Sequence, residues 1–413
     1  MGASDADLEA VFRAEHGRVV AALARRFGDL DLAEDATGEA LVVATETWRD
    51  EGLPPNPGGW LTTTATRRAL DRLRREGRRD DKHAEAQMIT DPTPPLPTGP
   101  VEDDRLRLVF TCCHPALAPE HRVALTLRLL GGLTVAEIAA AFLVPETTMA
   151  QRITRSKQKI ARAGIPYRIP SAQDLPARLD AVLAVLYLVF NEGYLGSSGQ
   201  AQRTDLTSEA IRLARQLREM VAGTPSLGAQ PEVDGLLALM LLVEARAATR
   251  VSEGRLVPLD EQDRTRWDAA LVEEGHRLVR GCLALGRPGR YQLQAAVNAV
   301  HTDALDASLT EWGQVVQLYD QLLALTRSPV VALNRAVAVA EVEGPEAALA
   351  LVDPLGLEGY HAWHATRADL LRRLDRPAEA RAAYDAAIGL AGSEEERAFL
   401  VGRRDALRDP TTT

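Results

Sequence analysis

The sequence predicts an all-α protein on three observations: alanine and leucine dominate, clear strand signals are few, and apolar residues return at helical spacing along the chain. Its 413 residues leave room for two or three domains with real cores. Hydrophobic residues at 46% and charged residues at 26% place it among soluble globular chains. The formal net charge of −10 argues at first against a nucleic-acid partner, but it is unevenly spread. Residues 1–170 carry 23 Lys and Arg against 24 Asp and Glu, and their cations cluster. The excess acid therefore lies after residue 170, in a part better suited to a protein-facing or regulatory role than to DNA.

A first helical unit is expected over residues 5–90. Its second helix, Asp31 to Trp48, sets Leu32, Ala36, Ala40, Ala44 and Trp48 on one narrow apolar ridge. Asp31, Glu34, Asp35 and Glu39 crowd the first two turns, where the helix dipole favours acids, and are read as outward. Gly52 to Gly59, GLPPNPGG, must be a turn or loop. A third helix then begins near Trp60. From Arg67 to Lys82 it holds eight cations, Arg67, Arg68, Arg72, Arg74, Arg75, Arg78, Arg79 and Lys82, against Asp71, Glu76, Asp80 and Asp81. Residues 91–100, DPTPPLPTGP, read as an extended, semi-rigid tether, because their prolines prevent helix or sheet.

The second unit, residues 101–169, contains a helix-turn-helix pattern. Thr134 caps a first helix with Glu137 completing a capping box, and Val135, Ile138, Ala139 and Phe142 form its stripe. Leu143 and Val144 make the turn, and Pro145 suits the first position of the next helix. There Met149, Ile153, Ser156 and Ile160 fall inward, while Thr147, Thr148, Gln151, Arg152, Arg155, Gln158, Lys159 and Arg162 face out. Between Thr147 and Arg168 there is no acid against Arg152, Arg155, Lys157, Lys159, Arg162 and Arg168. Such a face suits the DNA major groove, where Arg reads guanine, Gln reads adenine and Lys neutralises phosphate. A helical hairpin with a solvated basic face is the plainer alternative.

Residues 176–410 read as helix after helix, a C-terminal all-helical domain of regulatory type. The apolar run Ala181 to Phe190 is too short to span a bilayer and fits a buried core helix. Ala336, Val339, Ala348, Val352 and Leu355 recur as Ala368, Leu371, Ala380, Tyr384 and Ala387, a period of about 32 residues. Pro345 and Pro377 open the second helix of each pair, and a weaker copy ends at Trp312, Val315, Tyr319 and Leu322. The pattern resembles the tetratricopeptide repeat, with a generic helical bundle as the alternative.

Cys112, Cys113 and Cys282 make no disulfide framework, and Asp5, Asp7 and Glu9 stand where a signal peptide would be basic and then apolar. A cytoplasmic protein is expected. Cys112, Cys113 and His114 invite a zinc reading, but adjacent cysteines do not readily share one tetrahedral ion and no CxxC partner exists. His361 and His364 fit a packed helix better than a metal. Glu192 in NEGY fits a helix end rather than a general base. With no Walker loop, GxGxxG or GxSxG motif, neither enzyme activity nor a cofactor is expected.

DLAEDATGEALVVATETW, NPGGWLTTTATRRALDRLRRE and TCCHPALAPEHRVALTLRLLGGLTVAEIAAAFLVPETTMAQRITRSKQKI together resemble the sigma-70 family of transcription factors, of the extracytoplasmic-function (ECF) type. NEGY at Asn191 to Tyr194 and the terminal repeats resemble the subgroup with a large C-terminal domain. The resemblance implies that the first unit binds the core RNA polymerase and opens the −10 promoter element, and that the second reads the −35 element. It places Asp31, Glu34, Asp35 and Glu39 toward polymerase. It places Asn56, Trp60, Arg67, Arg68, Arg72, Arg74, Arg75, Arg78 and Arg79 on the −10 element. Thr147, Thr148, Gln151, Arg152, Arg155, Lys157 and Lys159 fall on the −35 element. Thr62, Thr63 and Thr64 depart from the family's interleaved aromatics, which leaves base stacking to Trp60. The resemblance also implies control in cis by the C-terminal domain, with a possible protein or ligand partner there and no membrane. A promoter-binding regulator with a sensing repeat domain is the runner-up, and a repeat scaffold with incidental basic helices the third reading.

Overall fold

The computed structural model describes residues 3–80, 104–141, 144–171, 173–195, 204–222, 229–252 and 255–407. The tether 91–100, Asp81, Lys82, Phe142, Leu143 and the side chains of Arg78 and Arg79 lie outside the described ones. Helix dominates: among the described residues the only strands are β1 (Val251–Ser252) and β2 (Arg255–Leu256), an antiparallel pair. The chain divides into two compact units. The first comprises Met1–Gly193 and Arg203–Leu217, the second Tyr194–Gln202 and Arg218–Thr413.

In the first unit, α1 (Asp5–Phe27), α2 (Leu30–Glu51) and α3 (Pro57–Asp80) pack on one another. Ser4 and Asp7 cap α1 reciprocally, and Gly28, at φ 70°, ends it in the left-handed conformation that glycine adopts without strain. Asp29 caps α2 by accepting from the Asp31 and Leu32 amides. The expected ridge of α2 is the core of this bundle: Leu32, Ala36, Ala40, Ala44 and Trp48 are all buried. Four more helices follow, α4 (Arg105–Cys112), α5 (Pro119–Leu129), α6 (Val135–Ala141) and α7 (Glu146–Arg162), and then α8 (Leu175–Leu195) and α9 (Thr204–Ala222). NEGY thus lies in the last turns of α8.

The α1–α3 bundle and the α4–α7 group meet closely. A Cβ added at Gly17 in α1 would lie 2.5 Å from the Leu130 carbonyl oxygen, so only glycine permits this approach. The single proton of the Tyr167 hydroxyl is shared between the Ala21 and Asp104 carbonyls, 2.9 and 3.1 Å away, and Arg25 pairs with Asp104. His16 is buried beside this contact, its ring 3.4 Å from where a Gly132 Cβ would stand. Burial, with help from the Arg128 charge and against Glu34, lowers its pKa to about 4, so it is neutral.

The second unit contains α10 (Pro231–Glu244), α11 (Ala269–Ala284), α12 (Arg290–Asp303), α13 (Trp312–Thr326), α14 (Pro329–Val342), α15 (Pro345–Val352), α16 (His361–Arg373), α17 (Pro377–Leu390) and α18 (Glu394–Asp405). Consecutive helices from α11 to α18 pack on one another. Pro231, Pro329, Pro345 and Pro377 each open a helix, where their missing N–H costs nothing. The small residues Ala336, Ala348, Ala368, Ala380 and Ala387 are fully buried and let the helices of α14–α17 approach closely. The Trp363 indole donates to the Val352 carbonyl at 2.9 Å, tying α15 to α16.

No described helix is long and apolar enough to cross a membrane. The three cysteines are buried free thiols; burial raises Cys113 to about 12, and Cys112 likewise rises well above its ordinary value, which leaves both unreactive. His361 bonds to Glu396 at 2.7 Å, and among the described residues no three His, Cys, Asp or Glu side chains group as metal ligands.

Candidate nucleic-acid and partner interface

Helices α6 and α7 form the helix-turn-helix. Thr134 Oγ1 accepts from the Glu137 amide at 3.1 Å, and the Glu137 carboxylate accepts from the Thr134 amide at 2.7 Å, so the capping box is closed. Pro145 is the N-cap of α7 rather than its first residue: its ψ of 143° is not helical, and the helix begins at Glu146. The buried residues of α7 are Met149, Ile153, Ser156 and Ile160, the expected inner face. Thr147, Thr148, Gln151, Arg155, Lys159 and Arg162 are exposed and Arg152 is half-buried. Arg155, Gln158, Lys159 and Arg162 line a shallow basic depression. His121 in α5, 3.3 Å from Ser156 Oγ, is held below its ordinary pKa by burial, with Glu120 opposing and Arg152, Lys159 and Arg155 adding to the effect.

The sequence expectation that Arg reads bases and Lys neutralises phosphate can be tested on this face. Arg152→Ala should weaken binding to a preferred duplex by roughly 1–3 kcal/mol relative to a scrambled one, whereas Lys159→Ala should weaken both alike. Competition titrations at fixed salt measure the difference; equal losses for Arg152→Ala on both duplexes would remove it from base reading.

The second basic surface is α3 with the loop before it. Asn56 is exposed, and its Oδ1 accepts from the Gly59 amide at 3.0 Å, so it caps α3. A Cβ at Gly58 or Gly59 would lie 2.4 Å from Glu15 Oε2 or 2.6 Å from Asn56 Nδ2 and would push those side-chain ends aside, which at Gly59 disturbs the Asn56 cap. Trp60 is half-buried, its ring edge-on to Trp48 at 5.1 Å, and Trp48 in turn lies 5.7 Å from Phe12. Arg67, Arg68, Arg74 and Arg75 are exposed, while Arg72 reaches Asp35 on α2 at 2.6 Å.

Of the four acids expected to face outward from α2, one does not. Glu34 has a side chain only 12% exposed, turned onto Arg128 at 2.6 Å and Lys157 at 2.8 Å. Lys157, expected on the −35 face, is itself 10% exposed and also reaches Asp31 at 2.5 Å. Burial disfavours charge on both groups, but the opposite charges outweigh it: Glu34 is lowered, Lys157 is raised, and the pair stays ionised. Asp31 and Asp35 remain exposed and Glu39 is half-buried. One acidic helix and one basic helix, 126 residues apart, thus satisfy each other. Periodicity gave no sign of this, because it shows which face of a helix turns inward but not what meets it. Arg128 and Tyr167 were missed for the same reason.

A helix-turn-helix with a cationic outer face, preceded by a bundle with its own basic helix and acidic partner helix, defines a two-module DNA-binding protein. Sigma-70 region 2 matches residues 11–79 and Sigma-70 region 4 matches 107–160. A family of unknown function (DUF6596) matches 178–283. An uncharacterized protein of Rhizobium meliloti (strain 1021) is 42% identical over 412 residues, spanning 96% of this chain and 95% of that one. The ECF RNA polymerase sigma factor SigK of Mycobacterium ulcerans (strain Agy99) is 29% identical over 143 residues, 33% of this chain and 74% of that protein. No solved structure matches. The chain carries the sigma-70 regions 2 and 4, followed by a helical C-terminal extension.

Proposed function

We propose that this chain is an RNA polymerase sigma factor of the ECF type. It docks on core polymerase through Asp31, Asp35 and Glu39 and reads the −35 element with Thr147, Thr148, Gln151, Arg152, Arg155 and Lys159; Glu34 and Lys157 join their respective surfaces only once the ion pair between them opens. It engages the −10 element with Asn56, Trp60, Arg67, Arg68, Arg72, Arg74, Arg75, Arg78 and Arg79. The observation that carries the reading is α7: a buried inner face and a cationic, amide-bearing and hydroxyl-bearing outer face, within a region 4 match that follows a region 2 match. Asn56 joins in through the loop it shapes as a cap, and Trp60 through the exposed part of its half-buried ring. The boundaries expected for the units, 5–90 and 101–169 with the tether 91–100 between them, enclose both matches. The factor works by binding rather than by catalysis, and in the cytoplasm, where the polymerase is.

The C-terminal domain, expected at 176–410, modulates this activity in cis, its acidity and small-residue helix pairs suiting a tetratricopeptide-like platform for a protein or ligand. The test is gel filtration with core polymerase, without DNA, followed by run-off transcription. Co-elution and specific transcripts are expected, and a chain that ignores the polymerase sinks the proposal. Ending the chain after Leu217 keeps the first unit whole and should change transcript yield; an unchanged yield rejects control in cis.

A further inference from the structure

Two helices of the C-terminal extension sit inside the DNA-reading unit. α8 as far as Gly193, and α9 as far as Leu217, group with regions 2 and 4, although they fall in the stretch matched to a family of unknown function. Arg105 in α4 has a side chain only 1% exposed, and its Nη1 donates to Glu209 Oε2 on α9 at 2.6 Å. A guanidinium so far from water needs a carboxylate, and Glu209 brings one from the extension. Arg178 on α8 donates to the Phe110 carbonyl in α4. Gly131, after α5, lies so close to α9 that a Cβ there would be 3.0 Å from Leu206 Cδ2. Leu206, Ala210, Leu213, Ala214 and Leu217 make a buried stripe along α9.

The contacts run on to the recognition helix: α4 packs on α5, α5 packs on α7, and His121 of α5 meets Ser156 of α7 at 3.3 Å. We infer that α8 and α9 brace region 4, and that Glu209, acting through Arg105, is a positioning residue for α7. The consequence for promoter reading rests on the proposed role of α7; the brace itself does not.

The full-length chain tests this with three substitutions. Readouts are hydrogen exchange over 105–162, discrimination between scrambled DNA and a duplex selected from a random pool by the unmodified chain, and co-elution with core polymerase. Glu209→Ala should raise exchange in α4–α7 by about tenfold and cut discrimination about fivefold, with co-elution not reduced, because loosening α5 and α7 only uncovers the acids of α2 further. Glu209→Gln, which keeps an acceptor for Arg105, should show a smaller loss in the same two readouts. Arg212→Ala, which removes a second partner of Glu209 at 3.1 Å on the same helix, should resemble the unmodified chain. Native exchange and discrimination in Glu209→Ala, or an Arg212→Ala loss equal to it, overturn the inference. If Glu209→Ala cannot be purified, Glu209→Gln decides, and its equality with the unmodified chain overturns the inference too. An unmodified chain that prefers no duplex defeats the reading of α7, while the exchange measurement still tests the brace.

Discussion

Replacing Gly17 with alanine should part the α1–α3 bundle from the α4–α7 group and tighten the chain's hold on duplex DNA. The added Cβ would meet the Leu130 backbone oxygen at 2.5 Å, and no rotamer change relieves a contact with backbone. Overpacking of this kind costs about 1–3 kcal/mol. Alanine also improves the α1 helix by about 1 kcal/mol, but it does so whether or not the two groups touch, so the balance still moves toward separation. Separation frees Lys157 from Glu34 and Asp31 and uncovers Glu34. Apparent affinity rises with the fraction of molecules able to bind, so roughly a tenfold gain is expected on a −35 duplex at fixed low salt. Fluorescence anisotropy measures it, and small-angle scattering should show a larger radius of gyration. An unchanged affinity would mean that the packed arrangement already leaves α7 open to DNA.

Acid should act on the same contact from the other side. His16 has a folded pKa of about 4 against an ordinary 6.5, caused first by burial and then by Arg128, with Glu34 opposing. Above pH 6.5 neither the packed nor the unfolded form holds the proton, and the packing is at full strength. Between pH 6.5 and 4 the unfolded chain takes a proton that the packed form refuses, so stability falls with pH. The loss reaches about 2 kcal/mol at pH 5 and about 3 kcal/mol near pH 4. Glu34 is lowered, so its ion pairs survive through most of that window. Urea unfolding at a series of pH values should show the slope, and His16→Gln should flatten it in the first unit. A His16→Gln profile parallel to the unmodified one would place the acid sensitivity elsewhere. His301 in the second unit, lowered to about 4 by burial and then by Arg246 and Arg264, adds a loss of the same sign there.

What the sequence discloses is local. The Thr134 and Glu137 capping box, the inner face of α7 and the ridge from Leu32 to Trp48 are legible because each is set by spacing within one helix. Pro345 and Pro377 are legible because a proline tolerates little else than the start of a helix. The meeting of helices far apart in the chain is not. Charge alone puts Glu34 on the surface; it is drawn in by Arg128 and Lys157, neither of which announces a partner. Asn56 reads as a base contact by position, yet its side chain is also committed to starting α3. Glu209 carries no motif, and its importance appears only once Arg105 is seen to be buried.

The span between Arg105 and Glu209, 104 residues, also bears on how the protein is made. Chains leave the ribosome at roughly 5–20 residues per second and fold from the N-terminus as units emerge. Region 4 must therefore wait about 5–20 seconds for its counter-charge, a delay in which it is exposed to proteases and holding chaperones. On the inferred brace, a message broken before the codon for Glu209 yields a recognition helix without its support, whereas one broken after Leu217 does not. The first two helices of the extension are, on that inference, made as the last part of the reading unit.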